Sequence, residues 1–232
     1  MSAERYLRQT MLAEIGEAGQ RRLRDARVLV VGLGGLGAVV TTYLAGAGIG
    51  TLVLADHDTV SLSNLQRQVL YSEADVGKPK AECAARRVAA LNSDVAFEIC
   101  RDGLTTDNAG RLVGSCDLVV DCTDNYPARF LIDDTCAALH RPWVYGSIGE
   151  FAGQVSVFQH RQGRRYAELY AERDALCSLP RTQRGVLGAV PGVVGAVEAC
   201  QAVKLLAGFG ELLEGRLWTI DLLTLETMTF EF

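Results

Sequence analysis

A glycine turn set between two hydrophobic segments constrains this chain more than any other feature. Val28 to Val31 is a short apolar run, Gly32-Leu33-Gly34-Gly35-Leu36-Gly37 follows directly, and Ala38 to Gly48 continues in small and apolar residues. Strand, turn and helix in that order demand glycine. The backbone must bend sharply, let phosphate oxygens reach main-chain N–H groups, and allow the helix to pack close on the strand. The helix start adds oriented amides and a partial positive charge. Leu52 to Ala55 reads as the next buried strand. Asp56 ends it, some two dozen residues after Gly32 and close to the roughly 20 at which a ribose-binding acid is found. A carboxylate there suits the free ribose of NAD, FAD or ATP and repels a 2′-phosphate. The plain alternative is a tight turn with an unrelated surface aspartate.

The choice among those nucleotides comes from downstream. Ser63-Asn64-Leu65-Gln66-Arg67-Gln68 is followed by Gly77-Lys78-Pro79-Lys80 and then by Asp121-Cys122-Thr123-Asp124-Asn125. Hydride transfer leaves the diphosphate intact and needs an apolar slot for nicotinamide. Breaking a phosphoanhydride needs cations against the charge of the transition state and a carboxylate to hold magnesium. Arg67, Lys80 and Asp124 are the right types for the second task. Singly, each has a bland reading: Arg67 and Lys80 as solvated surface charges, and Asp124 as the cap of a helix beginning near Pro127. No GxxxxGK[ST] occurs, so a P-loop is excluded.

In order, Arg5-Tyr6-Leu7-Arg8-Gln9, the glycine turn, Asp56, Ser-Asn-Leu-Gln-Arg-Gln, Lys-Pro-Lys and Asp-Cys-Thr-Asp-Asn resemble the ThiF/MoeB/HesA group. These are sulfur-carrier-protein adenylyltransferases related to ubiquitin-activating enzymes. The resemblance runs from Arg5 to about Gly208 and more loosely to the end. It implies an ATP pocket made by Gly32, Gly34, Gly35, Asp56, Asp58, Ser63, Asn64, Leu65, Gln66, Arg67, Gln68, Lys80, Cys122, Thr123, Asp124 and Asn125. Within it Asp56 would hold the ribose, and Asn64, Arg67, Gln68 and Lys80 the triphosphate. Asp124 would coordinate magnesium. Arg8 would enter the active site of the other subunit of a homodimer, making Arg8, Arg67, Lys80 and Asp124 the catalytic set. The implied substrate is a small ubiquitin-like carrier ending in Gly-Gly, in a thiamine, molybdopterin or other pathway.

Two departures from the family pattern stand out. Members of the group commonly hold a structural zinc on two Cys-x-x-Cys pairs. In the segment resembling the first pair, Arg165 and Glu168 take the cysteine positions, and none of the seven cysteines forms such a pair. No zinc is therefore expected, and Arg165 with Glu168 offers an ion pair in its place. Thiamine-type members also use a loop cysteine to form an acyl-persulfide. Cys177 lies in that loop, but Leu179 to Arg184 separates it from Gly185, and Arg181 takes the position an ungapped match assigns to the thiol. In a polar, Arg-rich loop Cys177 is either a reactive thiol or an idle residue. Cys83, Cys100, Cys116, Cys122, Cys136 and Cys200 read as small core residues in helices or strands.

The rest reads as one α/β domain spanning 1–232: a Rossmann-like doubly wound, mostly parallel sheet extended by antiparallel strands towards the C-terminus. Residues 1–26 form an N-terminal helical segment. Pro79 opens a helix with Ala81, Ala84, Ala85 and Val88 on one face. Leu118 to Val120 is a buried strand, and Val144–Ile148 and Gln154–Phe158 are strands joined by a glycine-containing turn. His160 to Arg184 is a mobile loop crossing the active site and the carrier's tail. Gly192 to Ala207 is an apolar helix under that loop, its polar strip being Glu198, Gln201 and Lys204. Strands near Leu217–Ile220 and Thr227–Phe230 extend the sheet and could face the carrier. At 232 residues and 49% apolar, one large core is within reach. An odd cysteine count, no bilayer-length apolar run and no signal segment point to the cytoplasm. The net charge of −5 carries no nucleic-acid signal. Two alternatives stay open: an NAD-binding oxidoreductase or sensor, and a family member acting on tRNA or a peptide.

Overall fold

A computed structural model describes residues 4–180 and 185–232. Its sheet has eight strands in the order β3-β2-β1-β4-β5-β6-β7-β8. The strands are β1 (Arg27–Val31), β2 (Thr51–Ala55), β3 (Ala96–Cys100), β4 (Leu118–Asp121), β5 (Trp143–Gly149), β6 (Ala152–Phe158), β7 (Arg216–Asp221) and β8 (Glu226–Glu231). The first five run parallel, and β6, β7 and β8 are antiparallel to their neighbours. The strand order reverses direction between β1 and β4, and in open α/β sheets ligands bind in the crevice beyond the carboxyl ends at such a point.

Helices α1 (Leu7–Thr10) and α2 (Gly16–Asp25) precede the sheet; α3 (Gly35–Ala47), α4 (Lys80–Leu91), α5 (Ala109–Gly114) and α6 (Tyr126–Ala138) alternate with its strands. Next come α7 (Tyr166–Leu169), α8 (Arg173–Cys177) and α9 (Val190–Ala207). The central strands are apolar on both faces, as buried parallel strands must be. Val28, Val30, Leu52, Val120 and Val144 pack with α3, α4 and α9. Leu29, Val31, Val53, Val119, Trp143 and Tyr145 pack on the other face with Phe130, Ile132 and Tyr166.

Several expectations change here. α9 is long and apolar enough to cross a membrane by length and composition, contrary to the sequence expectation that no such run exists. In the fold it packs against α3, β5 and β6, and half of it is buried. It does not lie beneath α7 and α8, which occupy the opposite face with α6. Its polar strip turns inward: Glu198 is fully buried, and Gln201 Oε1 accepts the Leu213 N–H at 3.0 Å. The β5–β6 turn contains no glycine. Its two residues are Glu150 and Phe151, with Glu150 in the left-handed region at φ 51°.

The stretch read as a mobile loop from His160 builds α7 and α8 and is anchored to α6. Tyr166 is buried among Phe130, Trp143 and Tyr145. Arg165 does not pair with the Glu168 carboxylate as expected. Its guanidinium bridges Asp133 at 2.8 Å and Asp134 at 2.7 Å on α6, while Glu168 pairs with Arg164 at 3.0 Å and accepts the Arg165 backbone N–H. Asp133 is fully buried, so it favours a partner close by, whereas a partner three residues along the surface gives a weak pair.

Cys177 ends α8 and packs, half-buried, against the second core cluster. Arg181 lies outside the described residues. Cys83, Cys122 and Cys136 are buried as expected; Cys116 is buried but sits in a connection, and Cys200 is exposed on α9.

Candidate active site

The glycine turn sits where β1 ends and α3 begins. Gly32 takes φ 87°, and a Cβ there would stand 2.8 Å from the Cys122 carbonyl oxygen. Gly37 is more constrained: its Cβ would come within 2.0 Å of the Gly32 carbonyl oxygen, which is backbone and cannot swing aside. Gly37→Ala is therefore expected to cost about 1–3 kcal/mol, seen as a lower urea midpoint, and to weaken nucleotide binding.

Asp56 ties the turn to the next strand. It is largely buried, and its Oδ2 accepts the Leu33 N–H at 2.6 Å while its Oδ1 accepts the Asp58 N–H at 2.7 Å. An ionised carboxylate has lone pairs beyond these two, so a ribose hydroxyl can still be accepted. Tyr71, which the sequence did not single out, donates its hydroxyl to the Leu33 carbonyl at 2.8 Å; burial, with Asp56 nearby, pushes its pKa up.

The bland readings of the charged residues give way here. Lys80 is not a solvated surface charge: it is only 5% exposed, and its Nζ donates to Asp58 Oδ2 at 2.9 Å. A continuous chain of hydrogen bonds thus runs from Leu33 in the turn through Asp56 and Asp58 to the Lys80 ammonium. Asp124 is not the helix cap. That role falls to Asn125, whose side chain accepts the Ala128 N–H with Pro127 in the first turn of α6. The exposed Asp124 carboxylate has one hydrogen bond here, from Asn125 Nδ2 at 3.3 Å.

The Ser63–Gln68 segment follows a 3-10 turn (Leu62–Asn64) capped by Ser61 and Asn64. Arg67 is half-buried, donates to the Ser63 carbonyl at 3.2 Å, and its stem lies beside Gly35. Gln68 is buried with an unpartnered Oε1, and its Nε2 faces Gly34. Leu65 packs against the core, and the Gln66 carbonyl oxygen lies 2.3 Å from where a Cβ on Gly188 would stand. Pro191 at the start of α9 touches Gly35 in the same way. Between α8 and α9 the chain changes sheet faces, and the Glu150–Val186 bridge pins it near the carboxyl end of β5.

Cys122, Thr123 and Asp124 follow β4 directly, so the glycine turn, Asp56, Asp58, Arg67, Lys80 and Asp124 all belong to the carboxyl ends of β1, β2 and β4 or the segments leaving them. Arg8 is not among them. It is exposed on α1, which docks through Gln9 on the Ala47 carbonyl and through Tyr6 beneath Gly48. That is the far end of α3, about 20 Å from the turn at 1.5 Å per residue.

Sequence reasoning missed a buried polar group below Asp124. Asp121, Arg129 and Glu198 are almost wholly buried. Burial raises the Asp121 pKa to about 6 against the pull of Arg129. Burial also raises the Glu198 pKa, with Asp121 adding to the effect, and the carboxyl is fitted against Gly146. The sequence signal available was a charged residue closing the apolar run of β4.

A doubly wound sheet with a glycine turn, a buried lysine, an arginine and an exposed carboxylate at its switch point has the make-up of a nucleotide-binding site. The ThiF family model matches residues 6–232, and the chain belongs to the ThiF family. A sulfur carrier protein adenylyltransferase from Thermus thermophilus is 43% identical over 226 residues, covering 95% of this chain and 83% of that protein. A molybdopterin-synthase adenylyltransferase from Salmonella typhimurium is 41% identical over 224 residues, covering 95% and 88%. Among solved structures, PaaA superposes with a TM-score of 0.86 at 25% identity, covering 100% of this chain and 74% of its own.

Proposed function

We propose that the chain is an ATP-dependent adenylyltransferase acting on the C-terminal glycine carboxylate of a ubiquitin-like sulfur carrier protein. The reading makes it a cytoplasmic homodimer. The observation that carries it is the hydrogen-bonded chain from the glycine turn to a buried Lys80, beside an Asp124 that no cap engages. A nicotinamide enzyme leaves those charges without work.

The carrier's carboxylate attacks the α-phosphorus of ATP, the bond to the β-phosphate bridge breaks, and pyrophosphate leaves. A terminal carboxyl, with a pKa near about 3.5, is already ionised at neutral pH, so the step demands no general base. Charge is the obstacle, because an anion approaches a polyanion. Arg67 and Lys80 offset that repulsion, and Arg8 adds a third cation from the second subunit. Asp124, an exposed hard-oxygen donor without an ion pair among the described residues, fits magnesium, which takes one or two carboxylates together with phosphate oxygens. The metal supplies neutralisation of the phosphates when bound. The chain is read as needing no zinc, Arg165 bridging Asp133 and Asp134 where the resemblance places a metal-binding cysteine.

ATP–pyrophosphate exchange tests this reading. Exchange should require a purified carrier ending in Gly-Gly and vanish when the last glycine is removed. Stimulation by RNA or a short peptide, or turnover of a nicotinamide, would replace it. Cys177→Ser is expected to leave exchange within about twofold of wild type, since its half-buried side chain packs against the core on the face away from α3 and α9. If the same variant stops sulfur reaching the carrier, measured by mass spectrometry of the thiocarboxylate, Cys177 carries it.

A further inference from the structure

The buried polar group beneath the Asp124 loop grips the backbone of a single residue, Thr123. Asp121 Oδ1 accepts the Thr123 N–H at 2.9 Å, and Arg129 Nη2 donates to the Thr123 carbonyl at 2.9 Å. Both backbone polar atoms of the residue before Asp124 are thus held by two side chains that are themselves buried. The same Nη2 donates to Ser147 Oγ on β5 at 3.0 Å, so the loop is tied to the neighbouring strand. The guanidinium lies over the rings of Tyr126 at 5.7 Å and Tyr145 at 5.4 Å, which fixes its plane.

The pair is not closed. Arg129 Nε and Asp121 Oδ2 stand 3.7 Å apart, and each is buried without a hydrogen-bond partner. Unsatisfied buried charges are costly and collect where function needs them. A structural ion pair would close by a small shift. This one is left open at the base of the loop that carries the exposed Asp124 carboxylate.

We propose that Arg129 and Asp121 are positioning residues: they clamp the Thr123 backbone on both of its peptide units so that the Asp124 carboxylate faces the metal-bound phosphates. The inference rests on the adenylation reading for the metal and on geometry alone for the clamp. Neither residue touches substrate. Their effect passes through Asp124, as outer-shell partners commonly act on a metal ligand.

The test uses Mn2+ as a paramagnetic probe with a non-hydrolysable ATP analogue and the full chain. In Arg129→Gln, Mn2+ affinity in the analogue complex, followed by electron paramagnetic resonance, should fall by about tenfold or more. Analogue affinity without metal should stay within about twofold, because the glycine turn is untouched. Ser147→Ala removes one anchor with little risk to folding and should show a smaller loss in the same direction; Arg129→Lys should rescue only part, since an ammonium lacks the planar fork. Amide hydrogen exchange across residues 122–125 of the free protein should quicken by about tenfold in Arg129→Gln. Unchanged Mn2+ affinity and unchanged exchange in both variants would overturn the clamp. If the wild type binds no Mn2+–analogue complex, the adenylation reading fails, and exchange at Thr123 still decides whether the peptide is held.

Discussion

Lys80→Met is expected to lower carrier-stimulated pyrophosphate exchange by about 10²–10³-fold, the loss seen when one preorganised electrostatic contact to a transition state is removed. Methionine is unbranched and of similar length, so it fills the Lys80 site without a void. The partner does not suffer. Asp58 is 56% exposed against 6% for the Lys80 side chain, so water solvates its carboxylate once the ammonium is gone. Stability should therefore change by less than about 1 kcal/mol. Activity and stability then separate: a large fall in kcat with an unchanged unfolding midpoint places the ammonium on the phosphates. A fall of only a few-fold in kcat would make the Lys80–Asp58 pair a structural tie. Lys80→Arg should also fail, because a broad guanidinium does not fit the space an ammonium occupies next to Asp58.

The parts of this architecture legible in the sequence were those written in contiguous residues. Val28–Val31, the glycine turn and Leu52–Ala55 announced β1, the start of α3, and β2, because strand hydrophobicity and glycine geometry are local. Pro79 announced α4 in the same way. What stayed hidden depended on long-range packing. Glu198, Gln201 and Lys204 recur along one side of α9, and no local rule says whether such a strip meets water or a sheet; a missing Cβ at Gly146, more than fifty residues earlier, made room for the carboxyl. Arg165 met Asp133 and Asp134 for a like reason: the choice of partner was made by the docking of α7 on α6. Lys80 looked like a surface charge because its burial comes from elements around it and not from its neighbours in sequence. Asp124 and Asn125 are adjacent and both able to cap, and only the hydrogen bond from Ala128 assigns the cap to Asn125 and leaves the Asp124 carboxylate out of it.

Arg8→Ala and Asp124→Ala are each expected to leave almost no exchange activity as pure homodimers, and to regain it when mixed. The reason is distance. Arg8 sits on a helix docked at the C-terminal end of α3, about 20 Å from the glycine turn, so within one chain it would not reach phosphates bound there. α1 and the residues just after it also present Leu7, Met11 and Leu12 to solvent, each more than half exposed, an apolar edge suited to contact with a second copy. In a twofold dimer each site would take its own Asp124 and the partner's Arg8. A hybrid dimer then holds one intact site, built from the Asp124 of the Arg8→Ala chain and the Arg8 of the Asp124→Ala chain. Its second site lacks both. Random reassortment makes about half the dimers hybrid, so activity should return to about a quarter of wild type. Sedimentation should show each variant dimeric, and an ATP analogue should bind Arg8→Ala nearly as well as wild type. An Arg8→Ala protein active on its own would remove the residue from the site. A mixture that stays inactive would place Arg8 and Asp124 in one chain's machinery or in none.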